Sequence, residues 1–293
     1  MDYRCYNCLV RSFARLLEKF QPKAQNNEIL MKEFLSYLSK TDESHTAPYI
    51  TGYMQEIIKK MIGIDDLYFE EKEFANNMLL AKYQELKKVV SVADCSFTRA
   101  LRLAIAGNII DYAANPDFDI MQTIEYVLEN DFAVDDSQEL MQEIINAKNV
   151  LYLGDNAGEI VLDKLFLETI GRRDIVFAVR GKPVINDATI EDAKKVGITN
   201  LVHVIDNGSK LPSTVVDECS PEFVKYFNNA DLIISKGQGN LEGLINTLDK
   251  NIYFLCMVKC NAIGEALGVT KGSFVVMNNK RLNKKHSKAV LEL

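Results

Sequence analysis

No stretch of the 293-residue sequence approaches the roughly 18 consecutive apolar residues of a membrane span, so no transmembrane helix is expected. Basic charge is also short: 34 Lys and Arg stand against 41 Asp and Glu, a net charge of -7. A nucleic-acid surface needs a concentrated Lys/Arg excess, which this balance argues against. It still permits a small cationic pocket for a phosphate. The six cysteines are too sparse for a disulfide framework. Only three histidines occur (His45, His203 and His286), and no nucleophile–His–acid set can be assembled. His203 lies inside an apolar strand-like run and reads as structural. The start, Met1-Asp2-Tyr3-Arg4-Cys5, lacks the basic-then-apolar order of a secretory signal. The expectation is a cytoplasmic protein with neither membrane nor nucleic acid as partner. The Walker pattern GxxxxGK[ST] is missing too, which argues against an ATPase of that type.

What is present falls into two halves. Residues 1–147 read as helices only. Apolar residues recur at helical spacing behind Asn27. Pro48 suits the first turn of the next helix and Gly63 can close it. An amphipathic stretch follows over 66–90, then a helix capped by Ser96 and carrying Leu101, Leu103, Ile105, Ile109 and Ile110, with further helical segments near 120–130 and 136–147. From residue 148 to 293 the pattern changes. Strand-like runs at 149–153, 174–179, 200–205, 231–235, 251–258 and 273–277 alternate with room for helices. That alternation predicts an α/β domain with a mostly parallel sheet covered on both faces. Nearly continuous apolar strands such as Ile175-Val176-Phe177-Ala178-Val179 agree with such covering. Right-handed crossovers would bring the carboxyl ends of the parallel strands to one edge.

Three strand-to-helix junctions on that edge carry chemistry. The first is Gly154-Asp155-Asn156-Ala157-Gly158-Glu159, the second Val184-Ile185-Asn186-Asp187-Ala188-Thr189, the third Ser235-Lys236-Gly237-Gln238-Gly239-Asn240. Taken singly, Asp155, Asn156 and Asp187 could be helix caps. Taken together, two carboxylates and an amide supply oxygen donors for a hard divalent cation such as Mg²⁺ or Mn²⁺. Glu159 either supports those ligands or stabilises the first turn of its helix. Glycines in the third junction let backbone N–H groups approach an anion, and Lys236 adds a full charge. Lys259, behind the apolar run Tyr253–Val258, is a second phosphate-binding candidate. Gly237, Gly239 and Gly243 also spell GxGxxxG. A nicotinamide site is disfavoured because the pattern follows a late strand and no acid ends the next one. Cys5 and Cys8 form a CxxC, but no second CxxC completes a zinc site, and Cys95 could join them only through the fold.

With these junctions the chain resembles the damage-control metal phosphatases, the family first catalogued as domain of unknown function 89, which includes the acidic-residue methyltransferase-like proteins. Besides the first and third junctions, Arg180-Gly181-Lys182-Pro183-Val184-Ile185-Asn186-Asp187-Ala188-Thr189 and Gly107-Asn108-Ile109-Ile110-Asp111 carry the likeness. Cys5-Tyr6-Asn7-Cys8 is similar to the family's prokaryotic branch. The resemblance implies a helical subdomain beside a three-layer Rossmann-like core. It also implies metal-dependent hydrolysis of small phosphometabolites, often sugar phosphates, with Mn²⁺, Co²⁺, Ni²⁺ or Mg²⁺. It assigns the metal to Asp155, Asn156 and Asp187, and phosphate contacts to Lys236 and Lys259. Substrate contacts are expected from Gly237, Gln238, Gly239 and Asn240, from Glu159, and from Asn108 and Asp111 on the helical side.

The nucleophile is open between a metal-bound water and Asp155, with water favoured because the DxDx[TV] setting of aspartyl-phosphate enzymes does not open this half. Two other readings compete: a non-catalytic sensor of phosphometabolites using the same pocket, and a carboxyl methyltransferase. The second is disfavoured because no glycine-rich nucleotide loop follows the first α/β strand.

Overall fold

A computed structural model of the protein describes residues 1–20, 24–42, 45–107 and 120–285. Six strands fall where apolar runs predict them: β2 (Val150–Leu153), β3 (Val176–Val179), β4 (His203–Asp206), β5 (Leu232–Lys236), β6 (Ile252–Met257) and β7 (Phe274–Asn278). A seventh, β1 (Val134–Asp135), lies in the half read as wholly helical, and this corrects that reading. Its two residues are too short to show any periodicity, and only pairing with β7 makes them a strand. The sheet order is β1-β7-β6-β5-β2-β3-β4, parallel throughout except for the β6–β7 pair.

Side chains alternate across each strand, so the sheet feeds two cores. Tyr152, Phe177, Ile234, Leu255 and Val276 face one core, where they meet buried residues of α4 (Phe69–Ser91), α5 (Ser96–Ala106), α7 (Ser137–Asn146) and α8 (Glu159–Ile170). Leu151, Leu153, Ile233, Phe254 and Val275 face the other, with α10 (Pro221–Asn229), α11 (Gly237–Leu244) and α12 (Asn261–Leu267). The result is three layers, helix–sheet–helix, and coverage on both faces is why the central strands carry almost no polar residues. Helices α1 (Tyr3–Phe20), α2 (Ala24–Leu38) and α3 (Ala47–Ile62) close a third core built on Phe13, Phe34, Ile50 and Met54. Pro48 sits in the first turn of α3 and Gly63 ends it in a left-handed conformation, as their positions predict. The remaining α-helices among the described residues are α6 (Ile120–Glu129), α9 (Ile190–Val196) and α13 (Lys280–Lys285).

From β2 the chain moves outward through β3 to β4, then returns to place β5 on the other side of β2. Connections therefore leave β2 and β5 in opposite directions, opening a crevice beyond their carboxyl ends where α/β sheets take ligands. One side chain of the helical layer fastens that edge. Asn76 of α4 accepts from the Gly158 N–H at 2.7 Å and donates to Asp192 Oδ1 at 2.9 Å. Lys72, one turn earlier, pairs with Asp192 Oδ2 at 2.9 Å and Asp66 at 2.8 Å. Asn76→Ala strands a buried N–H and weakens a buried carboxylate, so a loss of about 2 kcal/mol is expected in urea unfolding. A change below about 0.5 kcal/mol, the range of ordinary surface substitutions, would remove this tie from the account.

Candidate functional site

The acids of the first two junctions do not cap helices. Helix α8 starts at Glu159 behind Gly158, with no side-chain cap. Helix α9 is capped by Thr189, which forms a reciprocal box with Asp192. Asp155, Asn156 and Asp187 are instead held by backbone pairing between the two loops. Asn156 and Asp187 form an isolated antiparallel bridge. The Ala157 N–H donates to Asn186 O at 2.9 Å and the Ala188 N–H to Asp155 O at 2.8 Å. Just before the second acid, Ile185 has φ of 39°, which a β-branched residue adopts only under strain. Strain of this kind costs on the order of 1–3 kcal/mol and collects at functional sites.

Arg180, which follows β3, is the residue that sequence reasoning left without a role. Its guanidinium is buried; Nε donates to Asp187 Oδ2 at 2.5 Å and Nη2 lies 3.5 Å from Asp155 Oδ1. Nη1 donates to Thr214 Oγ1 at 3.4 Å. Its place in the second motif was visible, but its direction was not. Burial pushes the Asp155 carboxyl up to about 8, reinforced by Asp187 and Glu159 and opposed by Arg180 and Lys259. Burial raises Asp187 too, against the pull of Arg180. Positive charge close by is therefore what this pair of acids requires.

The third junction is arranged differently from the expectation. Lys236 is wholly buried and binds Ala104 O, Glu159 and Asp163. Burial alone would lower its pKa, but Asp163 and Glu159 outweigh that and raise it. Asn240 donates to Gly154 O at 3.1 Å and Lys236 O at 2.8 Å, while its oxygen accepts from Thr214 Oγ1 at 2.8 Å. Gln238 donates to Glu242 Oε1 at 2.7 Å and accepts from the Lys259 N–H at 2.7 Å. These three side chains thus bind protein groups and brace the junction. Helix α11 begins at Gly237 itself, where φ is +77° and an added Cβ would lie 1.8 Å from Asp155 Oδ2. Gly239 and Gly243 leave room for the backbone and Ser213 side chain of 212–214, which accounts for GxGxxxG without a nucleotide.

Lys259 is exposed just beyond β6, and its charge acts on both Asp155 and Asp187. Beside it opens a cavity of about 510 Å³, whose walls include Arg4, Cys5, Cys8, Glu242, Lys259 and Cys260. The CxxC of α1 therefore belongs to this wall. Burial pushes the Cys5 thiol up to about 11. Cys95 lies elsewhere, with Ser137 and Glu139. Among the described residues no three His, Cys, Asp or Glu side chains group to hold a metal. The candidate set is of another kind, two carboxylates and one amide. Asp187 Oδ1 is buried without a hydrogen-bond partner among the described residues, an orphaned acceptor that suits a cation. Oxygen donors of this type fit Mg²⁺ or Mn²⁺ chemistry. Asn108 and Asp111, with Ile109 and Ile110, lie outside the described residues.

Comparison with known proteins places this arrangement in context. The family model described as the damage-control phosphatase ARMT1-like domain matches residues 1–275. A damage-control phosphatase of Pyrococcus horikoshii is 33% identical over 286 residues, covering 96% of this chain and 98% of that protein. An Archaeoglobus fulgidus damage-control phosphatase is 31% identical, covering 82% of this chain and 84% of its own length. The crystal structure of a duf89 family protein from P. horikoshii superimposes with a TM-score of 0.85 at 31% identity, covering 95% of this chain and 99% of that one.

Gly237→Ala tests the packing at the junction. A methyl group against Asp155 at a left-handed backbone position is expected to cost about 1–3 kcal/mol in thermal unfolding. A variant as stable as the parent would show that the carboxylate does not sit against this glycine.

Proposed function

The chain belongs to the damage-control phosphatase ARMT1-like family, and from that membership we propose that it is a metal-dependent phosphatase of small phosphometabolites, sugar phosphates among them. The observation that carries the reading is the pairing of the β2 and β3 loops, which sets Asp155, Asn156 and Asp187 side by side next to Lys259. The names of the P. horikoshii and A. fulgidus relatives support phosphatase chemistry.

A phosphate monoester carries about two negative charges near neutral pH. Its uncatalysed hydrolysis is among the slowest known reactions, so charge neutralisation and positioning must supply most of the acceleration. Asp155, Asn156 and Asp187 would hold Mn²⁺, Co²⁺, Ni²⁺ or Mg²⁺. Such a cation, when bound, supplies positive charge for phosphoryl oxygens and lowers the pKa of water. Arg180 orients Asp187 through its Nε and partly neutralises both carboxylates. Lys259 neutralises a further phosphoryl oxygen as a point charge. The N-terminal N–H groups of α11, at Gly237 to Gly239, lack intrahelical partners and carry partial positive charge toward the same edge. The organic part of the substrate is accommodated by the cavity beside Lys259. No helix among the described residues is long and apolar enough to cross a membrane.

Two variants test the reading. Asp155→Asn should end phosphate release from sugar phosphates or p-nitrophenyl phosphate with every one of the four cations, while the melting temperature stays within a few degrees. Full metal-stimulated turnover in that variant would remove Asp155 from the site. Lys259→Ala should raise KM about tenfold or more, as expected for loss of a charge-assisted contact worth ~1.5–3 kcal/mol. Unchanged kinetics would free the lysine from any phosphate role. Chelation of divalent ions should abolish activity and their return restore it.

A further inference from the structure

Lys236 ends β5, yet its ammonium points into the layer of helices rather than into the crevice. An ammonium has three N–H donors and no acceptor. The three acceptors are Ala104 O at 2.8 Å on α5, Glu159 Oε1 at 2.7 Å and Asp163 Oδ1 at 2.5 Å on α8. All four groups are hidden from solvent, so no donor is left for a phosphoryl oxygen. The second oxygen of Glu159, Oε2, accepts from Asn156 Nδ2 at 3.0 Å, and the same nitrogen donates to Asp155 Oδ2 at 2.9 Å. Glu159 is paired with the Lys236 ammonium and accepts at both oxygens, so the Asn156 atom facing it must be the amide nitrogen. Its oxygen is thereby turned away from both acids, on a side chain that is only half-buried.

We propose that Lys236 and Glu159 are positioning residues that fix the Asn156 amide with its oxygen outward, making a neutral side chain an oxygen donor for a divalent cation. The inference rests on the metal reading above. Its logic is a chain of forced polarities. Lys236 can only donate, so Glu159 must accept at Oε1. Glu159 stays an acceptor at Oε2, so Asn156 must offer nitrogen there and oxygen on the far side. The chain is clamped at both ends. Tyr152 Oη donates to Asp163 Oδ1 at 2.7 Å, and Gly107 packs so closely that an added Cβ would lie 2.8 Å from Glu159 Cγ.

Glu159→Gln reverses one polarity with almost no change of shape. The glutamine oxygen must face Lys236, so its NH₂ meets the Asn156 NH₂ and the Asn156 amide turns over. Mn²⁺ binding, measured without substrate by titration calorimetry, should weaken about 10–100-fold, the usual effect of removing an outer-shell partner. Adding Asn156→Asp should restore binding to within about tenfold of the parent. A carboxylate accepts from the glutamine NH₂ and still turns an oxygen outward. A purely structural role for Glu159 would give no such rescue. Parent-like Mn²⁺ affinity in the single variant would overturn the proposal, as would a folded double variant that binds no better than the single one. If Glu159→Gln alone fails to fold, the double variant decides: it should fold and bind Mn²⁺, and failure in either overturns the proposal. A parent protein that binds none of the four cations would instead defeat the metal reading itself.

Discussion

One buried ammonium holds the functional edge together. Lys236 reaches from the central strand β5 to α5 of the N-terminal half and α8 of the C-terminal half, and so joins the sheet to a helical layer built from both. Removing one member of a buried ion pair typically costs about 3–5 kcal/mol because the partner charge is left uncompensated. Here two carboxylates depend on one cation. Burial lifts Asp163 to about 6 even with Lys236 and Tyr152 beside it. A buried charge arrangement so constrained specifies one geometry, and the Asn156 side chain inherits it through Glu159.

Above that layer sits a second charge arrangement of opposite demand. Asp155 and Asp187 share the guanidinium of Arg180, and burial still raises both. Two acids pressed together out of water, with one orphaned oxygen on Asp187, form a site short of positive charge. Under the proposed function, a divalent cation and the Lys259 ammonium would relieve it. The two lysines at strand ends thus divide the work. Lys236 faces inward and binds three protein acceptors, whereas Lys259 is exposed and carries, in the proposed function, the phosphate contact.

The helical half contributes more than a wall. Asn76 and Lys72 of α4 tie the first junction to the start of α9, and Ala104 of α5 accepts from Lys236. Helices α1 and α3 close the cavity beside Lys259 and bring the CxxC to it.

Six of the seven strands, the Gly63 stop of α3 and the order of the three junctions were legible in the sequence, because strand runs, caps and turn glycines act over a few residues. The coming together of Asp155, Asn156 and Asp187 was inferable once a parallel sheet was expected, since such sheets align their carboxyl ends. What the amino-acid order left undecided were the directions of long side chains. Lys236 and Lys259 read alike at strand ends, and Arg180 read as one more polar residue in a motif. Their partners lie 132 and 73 positions away for Lys236, and 34 for Arg180 at Thr214. Only the packing of layers brings such groups within hydrogen-bond range. The pairing of two-residue β1 with β7 was hidden for the same reason: local chemistry sets elements, while contacts between distant segments set which charges are buried and which are left to meet a ligand.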